Sequence, residues 1–308
     1  MERKVFFSNT SPAVKLFILL VAFLMAMFIF SAAGILSGVL FYGKDLSSIL
    51  ATVSHPQSEA DRSFLYLFQL INQIGVFFLL PFLFAYLFSN NSKLYLRLNN
   101  PSLPFIIAAG IIIFTILPFI NWIGDINQQM SFPDWLSGVG EWMKAKENQA
   151  DKLTLFFLSV SNVKGLFLNI LIIGLIPALG EELLFRGLLQ RLFNEWTRHV
   201  PLGVILTAFV FSAIHLQFFG FLPRFVLGLI LGTLLEITQS LWVPVFSHFV
   251  NNTTLVVLYY LHNKGLITIE PEHFGSMHHF FPVLLSLLFT LALLVWMAQK
   301  QKKRKTTF

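Results

Sequence analysis

Leu171-Ile172-Ile173-Gly174-Leu175-Ile176-Pro177-Ala178-Leu179-Gly180 runs directly into Glu181-Glu182-Leu183-Leu184-Phe185-Arg186. A charged side chain at the centre of a bilayer costs about 2.5 to 3.5 kcal/mol, so it persists where it is paired, faces water or is used. Two adjacent carboxylates inside such an apolar run therefore mark both a membrane setting and a candidate site. The rest of the chain agrees on the setting. Of 308 residues 56% are apolar and 12% charged, and 36 are Phe; the mean hydropathy is +0.74. The apolar residues come in runs long enough to span hydrocarbon. The expectation is an all-α, polytopic membrane protein with about eight transmembrane helices. The spans are read as Val14 to Leu40, Phe64 to Phe88, Pro104 to Ile123, Gly165 to Leu179, Pro201 to Phe221, Phe225 to Ile237, Leu241 to Leu261 and Phe280 to Met297.

The first span is too long for a signal-peptide core and lacks a small-residue cleavage site, so it reads as a retained helix. With the N-terminus inside, Arg3, Lys4, Lys15, Lys93, Arg97, Arg186, Arg191, Arg198, Lys300, Lys302, Lys303, Arg304 and Lys305 fall on the inner side. Fewer fall outside: Lys44, Arg62, Lys144, Lys146, Lys152, Lys164, Arg224 and Lys264. The bias predicts a multi-pass protein of the cell membrane with both termini cytoplasmic. The net charge of +6 comes largely from the tail Lys300 to Lys305, a stop-transfer anchor and not a nucleic-acid surface. The lipid bilayer is the partner this composition implies; nucleic acid is not. There is no cysteine, which removes thiolate chemistry, disulfides and cysteine-ligated zinc.

No linker of low complexity and no convincing repeat divides the chain. Residues 1–152 read as N-terminal membrane helices with an interfacial loop, and residues 153–308 as the part that carries the polar clusters. The longest break, Gly124 to Lys152, places Phe132, Trp135, Leu136, Val139, Trp142 and Met143 at helical spacing between charges, the pattern of a short interfacial helix, with Pro133 in its first turn.

Four polar clusters stand out in the second part. Glu182 and Arg186 are four apart on one helix face, where pairing neutralises both. Glu181 is rotated by about 100° and has no partner in its own segment, which leaves it free for chemistry. His215 is the titratable group of its span, with Phe211 one turn away. His248 and Asn252, four apart, can point at one atom, while Asn251 faces elsewhere. Glu236, near the end of its span, reads as an ordinary interfacial carboxylate. Straight helices would place His215 and His248 at different depths; a break or tilt at Pro177, Gly180 or Gly187 would reconcile them.

One free carboxylate, two histidines and an asparagine suit water activation. A desolvated carboxylate takes a proton from water, and neutral donors stabilise the oxyanion that forms. Zinc remains possible, although the His-Glu-x-x-His spacing is absent and Asn is a poor zinc ligand. No Ser sits in a Gly-x-Ser-x-Gly turn. Hydrolysis of an amide is the natural reaction.

Glu181-Glu182-x-x-x-Arg186, Phe211-x-x-x-His215 and His248-x-x-x-Asn252, in that order, resemble the three motifs of the CPBP family, the CAAX prenyl endopeptidases and bacteriocin-processing enzymes. Phe185-Arg186-Gly187 and Ser240-Leu241-Trp242-x-Pro244 resemble its prokaryotic branch. The resemblance covers about Gly165 to Leu258 and makes residues 153–308 an intramembrane protease core with a C-terminal helix. It implies that Glu181 is the general base, that His215 helps hold the attacking water, and that His248 with Asn252 forms the oxyanion hole. Glu182, Arg186 and Phe211 are supporting. No cofactor is favoured; were zinc used, Glu181, His215 and His248 would be its ligands. The substrate implied is a peptide, a bacteriocin leader or a membrane protein. A catalytically silent scaffold, such as a bacteriocin-immunity protein, and a proton-coupled transporter are the alternatives.

Overall fold

The computed structural model describes Phe7 and residues 10–277 and 279–306. Arg3 and Lys4, and the side chain of Lys305, lie outside the described residues. The fold is 83% helical, with no strand among the described residues. Its main helices are α1 (Pro12–Tyr42), α2 (Glu59–Phe88), α3 (Leu103–Gln128), α4 (Ser137–Leu158), α5 (Val163–Thr197), α6 (Val200–Ala213), α7 (Phe221–Thr238), α8 (Trp242–Asn263) and α9 (Phe280–Thr306).

Each of the eight expected spans contains a helix, that of Pro201 to Phe221 ending at Ala213, but among the described residues six helices are long and apolar enough to cross a membrane by length and composition. The other two are α6, with 14 residues, and α8, which carries His248, Asn251 and Asn252. They fall short because site-bearing helices are cut short or diluted with polar residues. Exposed Phe17, Phe28, Phe41, Phe281 and Phe289 on α1 and α9 are the outward belt of a membrane protein, where lipid takes the place of a protein core.

Several boundaries differ from those read in the sequence. The span expected to stop at Leu179 continues as a single 35-residue helix through both carboxylates to Thr197. Pro177, Gly180 and Gly187 do not break it. Instead α5 contains two π-helical stretches, Ile170–Leu175 and Leu183–Leu189, and α2 contains a third, Gln73–Leu79. Two of the three end two residues before a proline, Pro81 or Pro177. A proline ring clashes with the carbonyl four residues back and offers no N–H; one extra residue in the turn relieves both problems. The interfacial helix is also longer than expected. Pro133 precedes a short 3-10 turn, Asp134–Leu136, and α4 then runs 22 residues across the expected division at 152/153. Its C-terminal carbonyls at Phe156 and Phe157 accept hydrogen bonds from the buried Arg62 of α2. Asn263 of α8 donates to Leu158 O at 2.8 Å.

The largest apolar cluster joins both parts of the chain. Leu19, Leu80, Phe84 and Phe88 pack with Leu184, Phe185, Leu188, Leu192, Phe211 and Leu241, so α1 and α2 brace the helix that bears the carboxylates. A second cluster ties Phe105, Ile112 and Ile116 of α3 to Leu234, Val243 and Met297. Gly228 and Gly232 let α7 approach α6 closely, and their carbonyls are reached by side chains of α5. A Cβ at Gly232 would lie 2.7 Å from Gln190 Oε1 and 2.9 Å from Val204. The small residues are therefore a packing requirement of this pair of helices.

Candidate active site

One face of α5 carries Glu182, Arg186, Gln190 and Asn194, each four residues from the last. The Arg186 guanidinium donates to Glu182 Oε1 at 2.9 Å, and both side chains are fully buried. Its other terminal nitrogen donates to Gly228 O at 3.3 Å, and its charge lies 4.5 Å from the centre of the Phe211 ring. Gln190 donates to Gly232 O at 3.1 Å and to Glu236 at 2.8 Å. Asn194 donates to the same Glu236 oxygen at 2.8 Å, and Arg97 pairs with the other at 3.0 Å. Glu236 is thus the hub of a polar network at the α7 terminus. The sequence treated it as an ordinary interfacial carboxylate because Arg97, its partner, lies 139 positions away.

His248 connects this ladder to Glu181. Its Nδ1 lies 2.9 Å from Glu182 Oε1 and its Nε2 lies 3.9 Å from Glu181 Oε2. With Glu182 already accepting from Arg186, the short contact fixes Nδ1 as a donor and turns Nε2 toward Glu181. Glu181, 14% exposed at its side chain, has no short bond to that nitrogen.

His215 is not within a helix as expected. α6 ends at Ala213, and Ile214 and His215 form the turn that follows. Leu216 there has φ of 53°, in the left-handed region. The turn is held from outside: Glu147 of α4 accepts the Phe219 N–H at 2.8 Å, and Asn127 of α3 bonds Phe218 O and the Leu222 N–H. Leaving its helix solves the depth mismatch. The His215 and His248 rings stand edge-on to Phe211, with centroids 5.2 and 6.0 Å from it. His215 Nδ1 is 2.8 Å from Phe211 O, which leaves Nε2 for the cavity.

That cavity, of about 320 Å³, is lined by Glu181 and His215, by the apolar Met27, Phe68, Phe77, Phe185 and Ile214, and by Ser31, Gln69, Asn72 and Gln73. Met27 is the midpoint of α1, so the site lies half-way along that helix. The amides of α2 escaped the sequence reading. Their signal was present as spacing: Gln69, Asn72 and Gln73 stand at i, i+3 and i+4 in an apolar span, one helical face.

Asn252 is less close to its expected role. Its amide donates to Ile173 O at 3.3 Å, and its own oxygen accepts from Asn251 at 3.2 Å. Ile173 is four residues before Pro177, whose missing N–H would otherwise have bonded that carbonyl. Asn252 thus supplies a donor where the proline removes one, and Asn251 turns toward it instead of elsewhere. Among the described residues no three His, Asp or Glu side chains gather as a group that could hold a metal ion; Glu181, His215 and His248 do not form such a cage.

A polar centre of carboxylates and histidines held by helices inside an apolar bundle defines an intramembrane site in a multi-pass membrane protein. Residues 163–254, which carry every motif residue, match the family model described as type II CAAX prenyl endopeptidase Rce1-like, which bears out the family resemblance of the three motifs. An 86-residue stretch is 30% identical to the uncharacterized protein YpbD of Bacillus subtilis (strain 168), over 27% of this chain and 41% of that protein. The chain thus spans under half the length of that relative. No solved structure matches.

Proposed function

We propose that the protein is an intramembrane endopeptidase that cleaves a peptide or membrane-protein substrate with water activated by Glu181. The observation that carries this reading is the 3.9 Å gap between Glu181 Oε2 and His248 Nε2 beside a cavity shared with His215. The gap is too long for a direct hydrogen bond and suits an intervening water. A water about 2.8 Å from each atom bridges them at about a right angle. Glu181 then takes one water proton as the oxygen attacks the scissile carbonyl, and returns it to the leaving amine as the C–N bond breaks. Glu182, itself held by Arg186, fixes His248 by its Nδ1–H, and His215 helps to confine the water from the cavity it shares with Glu181. The Asn252 amide moves from Ile173 O to the developing oxyanion as its donor, while His248, its Nδ1–H held by Glu182, orients the water through Nε2. In this mechanism no metal takes part. Substrates of the CAAX prenyl type belong to the named family; for this chain the class proposed is broader, a polypeptide segment that reaches mid-bilayer depth.

The test is cleavage of a random peptide library by the purified protein in detergent, read by mass spectrometry, with and without exhaustive chelation. Cleavage at defined bonds, unchanged by chelator and with no zinc found by elemental analysis, is the expected result. No cleavage of any library member, or stoichiometric zinc whose removal stops the reaction and whose return restores it, would overturn the reading.

A further inference from the structure

We infer that Gln73, with Gln69 one turn away, is a peptide-backbone subsite that holds the substrate chain beside Glu181; the inference rests on the endopeptidase reading above. Gln73 is 5% exposed, yet its Oε1 has no hydrogen-bond partner. A buried acceptor left unpaired is costly and rare in a folded protein, and most so where water is scarce. Its neighbour Asn72 shows the contrast. Asn72 accepts from Ser31 at 3.0 Å and donates to Phe68 O at 3.0 Å, so it joins α1 to α2 and has its valences filled. Gln73 lines the same cavity, and its unpaired acceptor is covered against Gly180, so a turn of the amide is what brings it to a ligand.

The unpaired acceptor is also placed at the reacting group. A Cβ on Gly180 would lie 3.2 Å from Gln73 Oε1 and 2.8 Å from Phe77. Gly180 thus lets the Gln73 amide approach the backbone one residue before Glu181. Gln69 and Gln73 are four apart and share the cavity face, and the π-helical stretch that begins at Gln73 shifts only the residues after it.

The chemistry of the wall selects the ligand. A primary amide offers donors and an acceptor without charge, the complement of a peptide unit with its one N–H and one C=O. An anionic group would meet the Glu181 carboxylate among three neutral amides, and a cationic one would pair with Glu181 and occupy the base the reaction needs. A purely apolar chain would leave the Gln73 oxygen unpaired. A neutral, extended polypeptide segment satisfies it by donating a backbone N–H, and a cavity of about 320 Å³ is at the small end for ligand sites, enough for a short stretch of chain.

The experiment pairs a protein variant with substrate analogues. The probe is the decapeptide cut fastest from a random library, together with analogues N-methylated at each backbone nitrogen in turn. In the wild-type protein one position should lose about 10- to 100-fold in kcat/KM on methylation, the effect of removing one buried hydrogen bond. Gln73→Leu should lose a similar factor on the parent peptide and nothing further on that analogue, because the two changes remove the same bond. Gln73→Asn, folded by thermal melting, serves as the second variant and should recover part of the loss. Independent, multiplying losses at every position, or an unchanged parent rate in Gln73→Leu, would overturn the subsite while leaving the endopeptidase standing. Should no peptide be cut, the library is retained on immobilised Glu181→Gln protein. Retention that needs Gln73 keeps the subsite and sinks the endopeptidase; no retention overturns the subsite.

Discussion

Glu181 and Glu182 are neighbours on one helix, and the structure gives them opposite surroundings. Glu182 is fully buried and accepts from Arg186 and His248, each at 2.9 Å. Glu181 faces a cavity, 14% exposed, with its nearest ionisable partner 3.9 Å away. A rotation of about 100° per residue is enough to place one carboxylate in a buried ladder and the other at a cavity wall. The ladder side has its charges nearly balanced and its Glu182 and Arg186 side chains fully buried, although Glu182 Oε2, Arg186 Nε, Gln190 Oε1 and Asn194 Oδ1 are left without a hydrogen-bond partner. The cavity side has a carboxylate and an amide oxygen without close partners, so it can take a ligand. Structure and chemistry are thus separated by helix phase within one dipeptide.

The largest effect expected from that contrast is at Glu181. Glu181→Gln keeps size and hydrogen bonding but removes the base that takes the proton and returns it. Cleavage should fall by about a thousand- to ten-thousand-fold, the upper part of the range for a general base. The melting temperature should stay within a few degrees of the wild type, because no short bond to a neighbouring ionisable group is lost. Retained activity would break the distinction between the two carboxylates at its root.

The reverse is expected on the ladder. Arg186→Ala strands Glu182 in a fully buried position and should cost about 3 to 5 kcal/mol of stability, seen as loss of yield and of melting temperature. Activity falls as a consequence. The double variant Glu182→Leu with Arg186→Met replaces both charges by apolar groups and should recover much of the stability. It should not recover activity, because His248 Nδ1 then has no acceptor. A stable but inactive Arg186→Ala would instead place Arg186 at the substrate.

The sequence exposed this contrast in part. The ion pair could be read from spacing, because Glu182 and Arg186 are four apart in one helix and four residues bring side chains together. The helical membrane architecture could be read from the length of the apolar runs. The turn at His215 could not, since Phe211 to Phe221 has no proline and its one glycine, Gly220, lies beyond the turn; the backbone groups just after it are satisfied by Asn127 and Glu147, 72 to 95 positions away. The π-helical stretches were hidden for a similar reason. Pro81 and Pro177 announce that something must give in α2 and α5, but whether a helix kinks or takes an extra residue depends on what packs against it. Asn252 at Ile173 O was equally beyond reach, being a bond between two helices.

That bond makes Asn252 the sharper test of where ladder and chemistry meet. Asn252→Asp keeps the oxygen that accepts from Asn251 and replaces the only nitrogen that can donate. As an oxyanion donor, its loss should reduce turnover by about 100- to 1000-fold with a modest change in melting temperature. As a mere patch for the Pro177 gap, it should lower stability and leave the turnover of the folded fraction unchanged. Carboxylate is also a better zinc ligand than amide, so activity that rises with added zinc in this variant would speak for metal chemistry.

The smallest effect is expected at the far end of the ladder, and it measures how far the ladder's influence extends. Glu236 accepts from Gln190, Asn194 and Arg97, with its side chain 16% exposed. Glu236→Gln keeps one acceptor but presents an NH2 group toward donors and leaves Arg97 without its partner. Hydrogen bonds to a charged group are worth about 1.5 to 3 kcal/mol each; with partial exposure and a remaining acceptor, about 1 kcal/mol in thermal or denaturant unfolding is the expected loss. Turnover should change less than about threefold, because Gln190 is a full turn from Arg186 and two from Glu182, and a shift that small is absorbed by the packing around Gly228 and Gly232. A large loss of turnover at unchanged stability would mean that the ladder sets the position of His248 along its whole length, and the two faces of α5 would then be one device.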